Sequence, residues 1–251
     1  MIRNDQRKAG NIMSEYNRSG YYGESAGSLN AYVTKVFGHM GIGLLITAAV
    51  AFLGYYSAST GGLFLRVLTT APWLTFVFCI AELGIAIAFG AGLTRFSPAV
   101  CRLLFFVYSA LTGITFAFLP MYYGLGTFFT AFLFAAVLFV CCAVIGHTTN
   151  IDLTRFSGLL SGALLSLVIM TVISLFIPAL RNSLFIGYAG LIIFLGITAF
   201  DMQKIRSFYY TSTEGYLKEN LAIYMAFQLY LDFINIFLYV LRILGSRNSR
   251  N

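Results

Sequence analysis

Seven apolar stretches dominate this sequence, and each is long enough to cross a lipid bilayer as a helix. A membrane-spanning helix needs about 20 mostly apolar residues. The stretches lie at roughly 35–57, 72–93, 100–120, 126–146, 157–178, 183–205 and 221–244. All four prolines stand at or just outside the ends of these stretches, where residues that break helices are expected. The pattern predicts an all-α fold, a bundle of seven transmembrane helices.

The composition excludes most other classes of protein. Charged residues make up 10% of the 251 residues, against about 25% in a typical soluble protein, and the mean hydropathy is +0.83. The net charge of +7 lies mostly in tails and short connections, where Lys and Arg set membrane orientation. We therefore expect no nucleic-acid partner. The four cysteines have no metal-ligand spacing and are interpreted as packing thiols.

The chain divides into a tail and one membrane domain. Residues 1–30 are polar and lack the apolar core of a secretory signal, which predicts a cytosolic N-terminal tail. Residues 31–251 contain all seven stretches and no internal repeat. We predict a single transmembrane domain over that range.

The distribution of Lys and Arg predicts the orientation of the bundle. With the N-terminus in the cytosol and seven full crossings, 11 basic residues fall on the cytosolic side and 5 on the outer side. Three of those five are Arg242, Arg247 and Arg250, at or after the end of the last stretch. A last helix that re-entered the membrane would return them to the cytosol. The charge count predicts a cytoplasmic N-terminus and leaves open whether the last helix crosses.

Three acidic residues, Glu82, Asp201 and Asp232, lie inside predicted spans. A charged side chain at the centre of a membrane helix costs about 2.5–3.5 kcal/mol on insertion scales. Each carboxyl could simply be a protonated or hydrogen-bonded group that holds helices together. Three of them in one small bundle favour a functional role, and Glu82, ten residues into the second span, falls near the midplane.

The last predicted helix carries a polar stripe. Gln228, Asp232, Asn235 and Tyr239 recur at spacings of four, three and four residues on a helix that is otherwise apolar. Such a helix is poorly suited to face lipid, so we predict that it lies at the centre of the bundle with the stripe lining a cavity.

Asp201 lies near the end of the sixth stretch, in the run TAFDMQKI, three residues before Lys204. The two side chains could form a local pair near the membrane surface. If the helix ends at Ile205, Asp201 lies only about 6 Å from its end, whereas Asp232 lies about 16 Å from a helix start at Leu221. An interface at the aromatic run 208–210 would reduce that difference in depth.

Other polar residues leave alternatives open. Arg95, at the cytosolic end of the second stretch, could extend to water or bend inward to the aspartates. Ser109, Thr112 and Thr115 recur every three residues on the third stretch and are either small packing groups or cavity hydroxyls. Neither histidine has a partner pattern that indicates a metal site.

Several runs of this sequence resemble those of a known family. The C-terminal QLYLDFINIFLYVLRILG, the TAFDMQKI run, the YSALTGITF segment and the seven-span layout with its mid-helix glutamate are similar to the Bax inhibitor-1 family, also called transmembrane Bax inhibitor motif proteins. The resemblance covers about residues 30–245, and the polar N-terminal tail resembles bacterial members more than eukaryotic ones. It implies seven helices with the last one buried among the other six. For a bacterial member it implies a location in the inner membrane.

The resemblance also implies a function and roles for individual residues. Family members are described as pH-sensitive calcium leaks, with calcium as the transported ion and no other cofactor. Asp201 and Asp232 would be the aspartate pair that senses pH and would offer oxygen ligands to calcium. Arg95 would be the latch on this pair, with Arg102 as the fallback because Arg95 lies about two residues further from Glu82 than the family pattern expects. The ion pathway would comprise Glu82, Gln228 and Asn235.

Two hypotheses on function follow, from different classes. The first is a proton-gated leak for cations, with the bilayer and calcium as partners. The second, which the family also suggests, is a membrane-embedded regulator of another membrane protein, such as a quality-control protease or a cell-death factor. An intramembrane aspartyl protease is not expected, because its aspartates lie in motifs with nearby Gly and Tyr that TAFDMQKI and LYLDFINIF do not reproduce. We predict that the protein is not an enzyme.

Overall fold

The computed structural model describes residues 2–62, 70, 73–149, 151–177, 183–211 and 215–248. Their side chains are described from Ser28 to Ser246, apart from residues 75, 76, 175 and 176. Over these ranges the chain is helical and contains no strand. The helices are α1 Ile2–Ser59, α2 Trp73–Gly92, α3 Pro98–Phe116, α4 Leu119–Tyr123, α5 Leu125–Thr148, α6 Ser157–Phe176, α7 Leu184–Thr211 and α8 Tyr216–Asn248, with a 3-10 turn at Leu153–Phe156 before α6.

The predicted fold class is confirmed. Six helical segments of the described chain are long and apolar enough to cross a membrane, and Val77–Gly92 within α2 is a shorter apolar helix. Pro98 occupies the first turn of α3, where Ser97 caps the helix by accepting a bond from the Val100 amide at 3.4 Å. Three predicted ends are wrong: α1 begins at Ile2, ahead of the first apolar stretch, α7 continues six residues past Ile205 to Thr211, and α8 begins five residues before Leu221, at Tyr216.

The last helix is central, as predicted. In the most apolar 18 residues of α8, 67% of the residues are buried, against 6% in the most apolar 18 residues of the segment Leu153–Ser174. Helices α1, α3, α5 and α7 all pack around α8. Its largest fully buried side chains include Phe227, Tyr230 and Phe237. This helix therefore takes the place of a hydrophobic core in a protein whose outer helices expose apolar side chains.

The last helix also crosses the bundle from end to end, a point that the charge count left open. At its start, Glu219 forms ion pairs with Lys35 of α1 and Arg102 at the start of α3. Near its end, Gly245 lies against the Tyr123 ring of α4. One unbroken helix of 33 residues, about 50 Å long, joins the two ends. We call the end of the bundle with Glu219 the N-terminal face.

The turn between α2 and α3 also lies on the N-terminal face. Asn220, in the first turn of α8, donates to the carbonyl oxygens of Leu93 at 2.9 Å and Phe96 at 2.8 Å. With the Glu219 ion pairs, these bonds hold the start of α8 to α1, α3 and the α2–α3 turn.

Helices α5 and α7 cross at backbone contact beside Asp201. A Cβ atom added to Gly146 of α5 would lie 2.3 Å from the carbonyl oxygen of Ala199 and 2.7 Å from its Cα. Such distances are possible only for glycine, and small residues at a crossing let membrane helices approach closely. The crossing fixes the position of α7 two residues before Asp201.

Candidate functional site

Helices α7 and α8 bring Asp201 and Asp232 together in the interior of the bundle. The side chains are 2% and 3% exposed, and the two carboxyl groups interact electrostatically. On α7 the buried residues Phe194, Thr198, Asp201 and Ile205 follow one another at spacings of four, three and four. The same spacing relates Gln228, Asp232, Asn235 and Tyr239 on α8. The two stripes are complementary, and Tyr239 packs beside Phe194 with 5.9 Å between ring centroids.

One cation accompanies the two carboxyl groups. Lys204 Nζ lies 3.6 Å from Asp201 Oδ1 and also acts electrostatically on Asp232. The ammonium group sits over the rings of Phe200 and Phe208, at 5.7 and 5.8 Å from their centroids. The local pair of Asp201 with Lys204 and the proximity of the two aspartates were alternatives at the level of the sequence, and the structure contains both.

Hydrogen bonding around the pair is incomplete. The Thr198 hydroxyl lies beside Asp232 and donates to the Phe194 carbonyl oxygen at 2.8 Å. Asp232 Oδ2 is buried and has no hydrogen-bond partner among the described residues. A buried polar atom without a partner costs about 1–3 kcal/mol. Asp232 Oδ2 is therefore the atom of the pair whose hydrogen bonding the described residues leave incomplete.

Neither candidate latch contacts the aspartates. Arg95 is exposed in the turn after α2, and no ion pair joins it to an acid within the described ranges. Arg102 NH1 is 3.3 Å from Glu219 Oε1, and Lys35 Nζ is 3.5 Å from the same oxygen. The role of Arg95 as a latch stays a prediction, and the cation present at the pair is Lys204.

The other stripe residues are half-buried. Gln228, Asn235 and Tyr239 all have intermediate exposure. Asn235 Nδ2 donates to the Leu231 carbonyl oxygen of its own helix at 2.7 Å, which leaves its side-chain oxygen available. Their assignment to an ion pathway stays a prediction.

Glu82 lies in a second polar cluster, on the other side of α8. Its carboxyl group is beside the hydroxyls of Thr112 and Thr115 on α3. Both hydroxyls donate to carbonyl oxygens of their own helix, at 3.1 and 2.9 Å. Glu82 Oε1 is buried without a partner in the described chain. The threonines of the third stretch, which sequence reasoning left as packing or cavity groups, thus line the glutamate.

Sequence analysis missed two members of this second cluster. Tyr230 of α8 and Thr47 of α1 are joined by a hydrogen bond of 2.7 Å. Thr47 Oγ1 also lies 2.9 Å from the Ser109 carbonyl oxygen, to which it can donate. Tyr230 is completely buried and lies beside Ser109 and Thr112 as well. A tyrosine and a threonine in apolar runs give no periodic signal, so only the packing reveals them.

The aspartate pair is a sparse site for a metal ion. No group of three His, Cys, Asp or Glu side chains gathers anywhere in the described part of the chain. Calcium takes about six to eight oxygen ligands, whereas the pair offers two carboxyl groups and the Thr198 hydroxyl. Such a set suits transient contact with a cation better than tight binding.

Comparisons with known proteins agree with this architecture. The family model described as inhibitor of apoptosis-promoting Bax1 matches residues 29–249. The inner membrane protein YbhL of Escherichia coli is 32% identical over 238 residues, which are 94% of this chain and 100% of that protein. An uncharacterized protein of Rickettsia prowazekii is 32% identical, over 88% of this chain and 92% of its own length.

A membrane protein of Streptococcus pyogenes gives a similar result. It is 33% identical over 224 residues, 89% of this chain and 96% of its own length. The range matched by the family model includes Glu82, Asp201 and Asp232. The chain is therefore a multi-pass membrane protein that belongs to the Bax inhibitor-1 family.

Proposed function

We propose that this protein is a pH-sensitive leak for calcium, gated by the proton that Asp201 and Asp232 share. The observation that carries the proposal is the burial of both carboxyl groups beside one cation, with Asp232 Oδ2 unpartnered. Two neighbouring carboxylates do not both ionise cheaply and titrate as a unit. A single proton on the pair leaves one negative charge, which Lys204 balances.

The closed state is the singly protonated one in this proposal. A shared proton supplies the hydrogen bond that Asp232 Oδ2 lacks. Losing that proton places two like charges side by side, and two unit charges 4 Å apart interact by about 4 kcal/mol at an effective dielectric constant of 20. Gaining a second proton removes the charge that Lys204 balances. Either change weakens the contact between α7 and α8.

Release of the pair by loss of the shared proton would also supply ligands, which release by a second proton would not. Ionised carboxylates that no longer share a proton present oxygens to a hard cation, and calcium prefers oxygen ligands. Gln228 and Asn235 flank Asp232 on the same stripe and would add amide oxygens along the route. Glu82, on the other side of α8, would attract the cation into the bundle. The sparse ligand set favours passage over retention.

The test is calcium flux into proteoliposomes across a pH series. Asp201→Asn and Asp232→Asn should each remove the pH dependence, because an amide cannot exchange the shared proton. The matched control is Asp152→Asn, the same change at an acid that is exposed on the α5–α6 connection, and it should keep the normal response. The proposal fails if both interior variants respond to pH as the unsubstituted protein does.

The second candidate function is regulation of another membrane protein, such as a protease of the same membrane. Helix α1 has 58 residues and is about 87 Å long, nearly three times the hydrocarbon thickness of about 30 Å. Its first half therefore provides a surface outside the bilayer, which on the predicted orientation faces the cytosol. Deletion of residues 1–27 keeps Ser28 and its hydrogen bond to Tyr209. Loss of a partner with flux unchanged would favour regulation.

A further inference from the structure

A pocket of about 250 Å³ opens between the end of α5, its connection to α6, and the last turns of α7. Its polar lining includes His147, Thr149, Thr154, Arg206, Ser207 and Tyr210. The proposed leak uses none of these residues. The pocket lies on the N-terminal face, where α5 ends at Thr148 and α7 ends at Thr211.

Basic side chains line this pocket, and the nearby carboxyl group of Asp152 is bonded to the lining residue Thr154. Arg206 and His147 are both in the lining, and the lining contains no carboxylate. Within the described ranges neither base forms an ion pair. Asp152, the acid on the neighbouring connection, is occupied by Arg155 at 3.5 Å and by the Thr154 amide at 3.0 Å. The pocket is therefore a basic recess in which the guanidinium group has no internal counterion.

The wall of the pocket is fixed before any ligand arrives. Gln203 of α7 donates to the Ile151 carbonyl oxygen at 2.7 Å and accepts from the Leu153 amide at 2.9 Å. Thr149 Oγ1 accepts from the Ile151 amide at 3.2 Å, so its hydroxyl proton remains available to a ligand. Preorganisation of this kind lowers the entropic cost of binding.

We propose that this pocket is a phosphate-binding site, filled by the headgroup of an anionic phospholipid or by a soluble phosphate compound. The guanidinium group of Arg206 suits the paired oxygens of a phosphate. The imidazole of His147 and the hydroxyls of Thr149, Ser207 and Tyr210 supply further donors. Basic pockets between membrane helices at the cytoplasmic surface are known to bind lipid headgroups.

A bound phosphate would join two parts of the bundle. It would bridge α7 to the end of α5 and the connection that follows, next to the turn that carries Asp201 and Lys204. The inference does not depend on ion flux, because it concerns binding alone. A failure here leaves the proposed leak untouched, and a failure of the leak leaves this site untouched.

The experiment measures binding of short-chain phosphatidylglycerol to the purified full chain in detergent, with phosphatidylcholine of the same chain length for comparison. The unsubstituted protein should prefer phosphatidylglycerol. The double variant H147Q/R206Q should bind it at least tenfold more weakly. The matched control is Arg95→Gln, an exposed arginine on the same face outside the pocket, which should bind as the unsubstituted protein does.

Two further arms complete the test. Ser207→Glu, at an exposed position of the lining, should abolish the preference by placing a negative charge in the recess. Inorganic phosphate that displaces phosphatidylglycerol would assign the site to phosphate from either source, and a lack of competition would assign it to the lipid. Equal binding of the two lipids by the unsubstituted protein, or tight binding by H147Q/R206Q, would overturn the proposal.

Discussion

Asp232 and Tyr230 are two residues apart on α8, yet they belong to two very different polar regions. A step of two residues turns a helix by about 200°, so the side chains leave α8 on opposite sides. Asp232 meets Asp201 and Lys204 of α7, and Tyr230 meets Thr47 of α1 and the hydroxyls of α3. The central helix separates a region with two carboxyl groups and a lysine from a region of hydroxyls that contains one carboxyl group, Glu82.

The hydroxyls of the second region are hydrogen-bonded, whereas Glu82 Oε1 in the same region has no partner among the described residues. Tyr230 and Thr47 are bonded to each other, and Ser109 donates to the Phe105 carbonyl oxygen at 2.9 Å. Asp232 Oδ2 has no partner among the described residues. A satisfied network of hydroxyls holds helices in one arrangement. The interaction within a pair of carboxyl groups, in contrast, changes with the number of protons that the pair binds. We expect the hydroxyls around Tyr230 to give stability and the aspartate pair to give the pH response.

The largest expected effect is on the pH dependence of flux, and it concerns the aspartate pair. Asp232→Asn should flatten the pH dependence of calcium flux, and Tyr230→Phe should leave it intact. Flux assays on both variants over the same pH series would decide. A flat profile for Tyr230→Phe would show that the hydroxyl region takes part in gating.

The next effect concerns the cation beside the aspartate pair. Lys204→Met should destabilise the protein by about 3–5 kcal/mol, the usual result of removing one partner of a buried ion pair. Adding Asp201→Asn to it should restore part of that loss, because the remaining charge is neutralised. Urea or thermal unfolding of the two single variants and the double variant gives the coupling. Simple additivity would contradict the ion pair of 3.6 Å.

A smaller effect on stability concerns the hydroxyls of Tyr230 and Thr47. Tyr230→Phe should lower the unfolding free energy by about 1 kcal/mol, the net value of a typical hydrogen bond. Thr47→Val removes the same bond from the other side. The double variant should therefore lose less than the sum of the two single variants. Additive losses would mean that the two hydroxyls act independently.

The smallest effect lies outside both regions, at Asp152. The hydroxyl and the backbone amide of Thr154, with some help from Arg155, lower the pKa of the exposed Asp152 carboxyl. A carboxyl whose pKa is lowered on folding stabilises the fold above its unfolded pKa of about 3.9, and this contribution is lost as pH falls through the folded pKa. The protection factor of the Thr154 amide against hydrogen exchange should fall as pH drops through the folded pKa of Asp152, and it should depend much less on pH in Asp152→Asn.

Much of the fold can be read from the sequence. Long apolar stretches bounded by prolines predict the helices, because the bilayer requires about 20 apolar residues for each crossing. The four-three-four spacing of Gln228, Asp232, Asn235 and Tyr239 predicts the central position of α8. The predicted end of α7 at Ile205 is wrong because Arg206, Ser207 and the aromatic residues after them continue the helix although they are no longer uniformly apolar.

The site is less accessible to sequence reasoning. The periodicity identifies Asp201 and Asp232, since carboxyl groups in apolar helices are rare and stand out. The partner of Asp201 depends on the reach of individual side chains, and Lys204 one turn away, not Arg95 or Arg102, lies within ion-pair distance. Thr47 and Tyr230 are far apart in sequence, so their bond appears only when α1 and α8 pack.

The contact between Gly146 and Ala199 restricts how a gate at the aspartates can move. Because the two backbones touch, α7 has no room to shift toward α5. Near this contact α7 can only turn about the point where the two helices meet. If the proposed gate opens at Asp201, the movement is a tilt of α7 about Ala199 or a rotation of α8 alone. A bulkier residue at position 146 would force the α5 and α7 backbones apart and displace the part of α7 that carries Asp201.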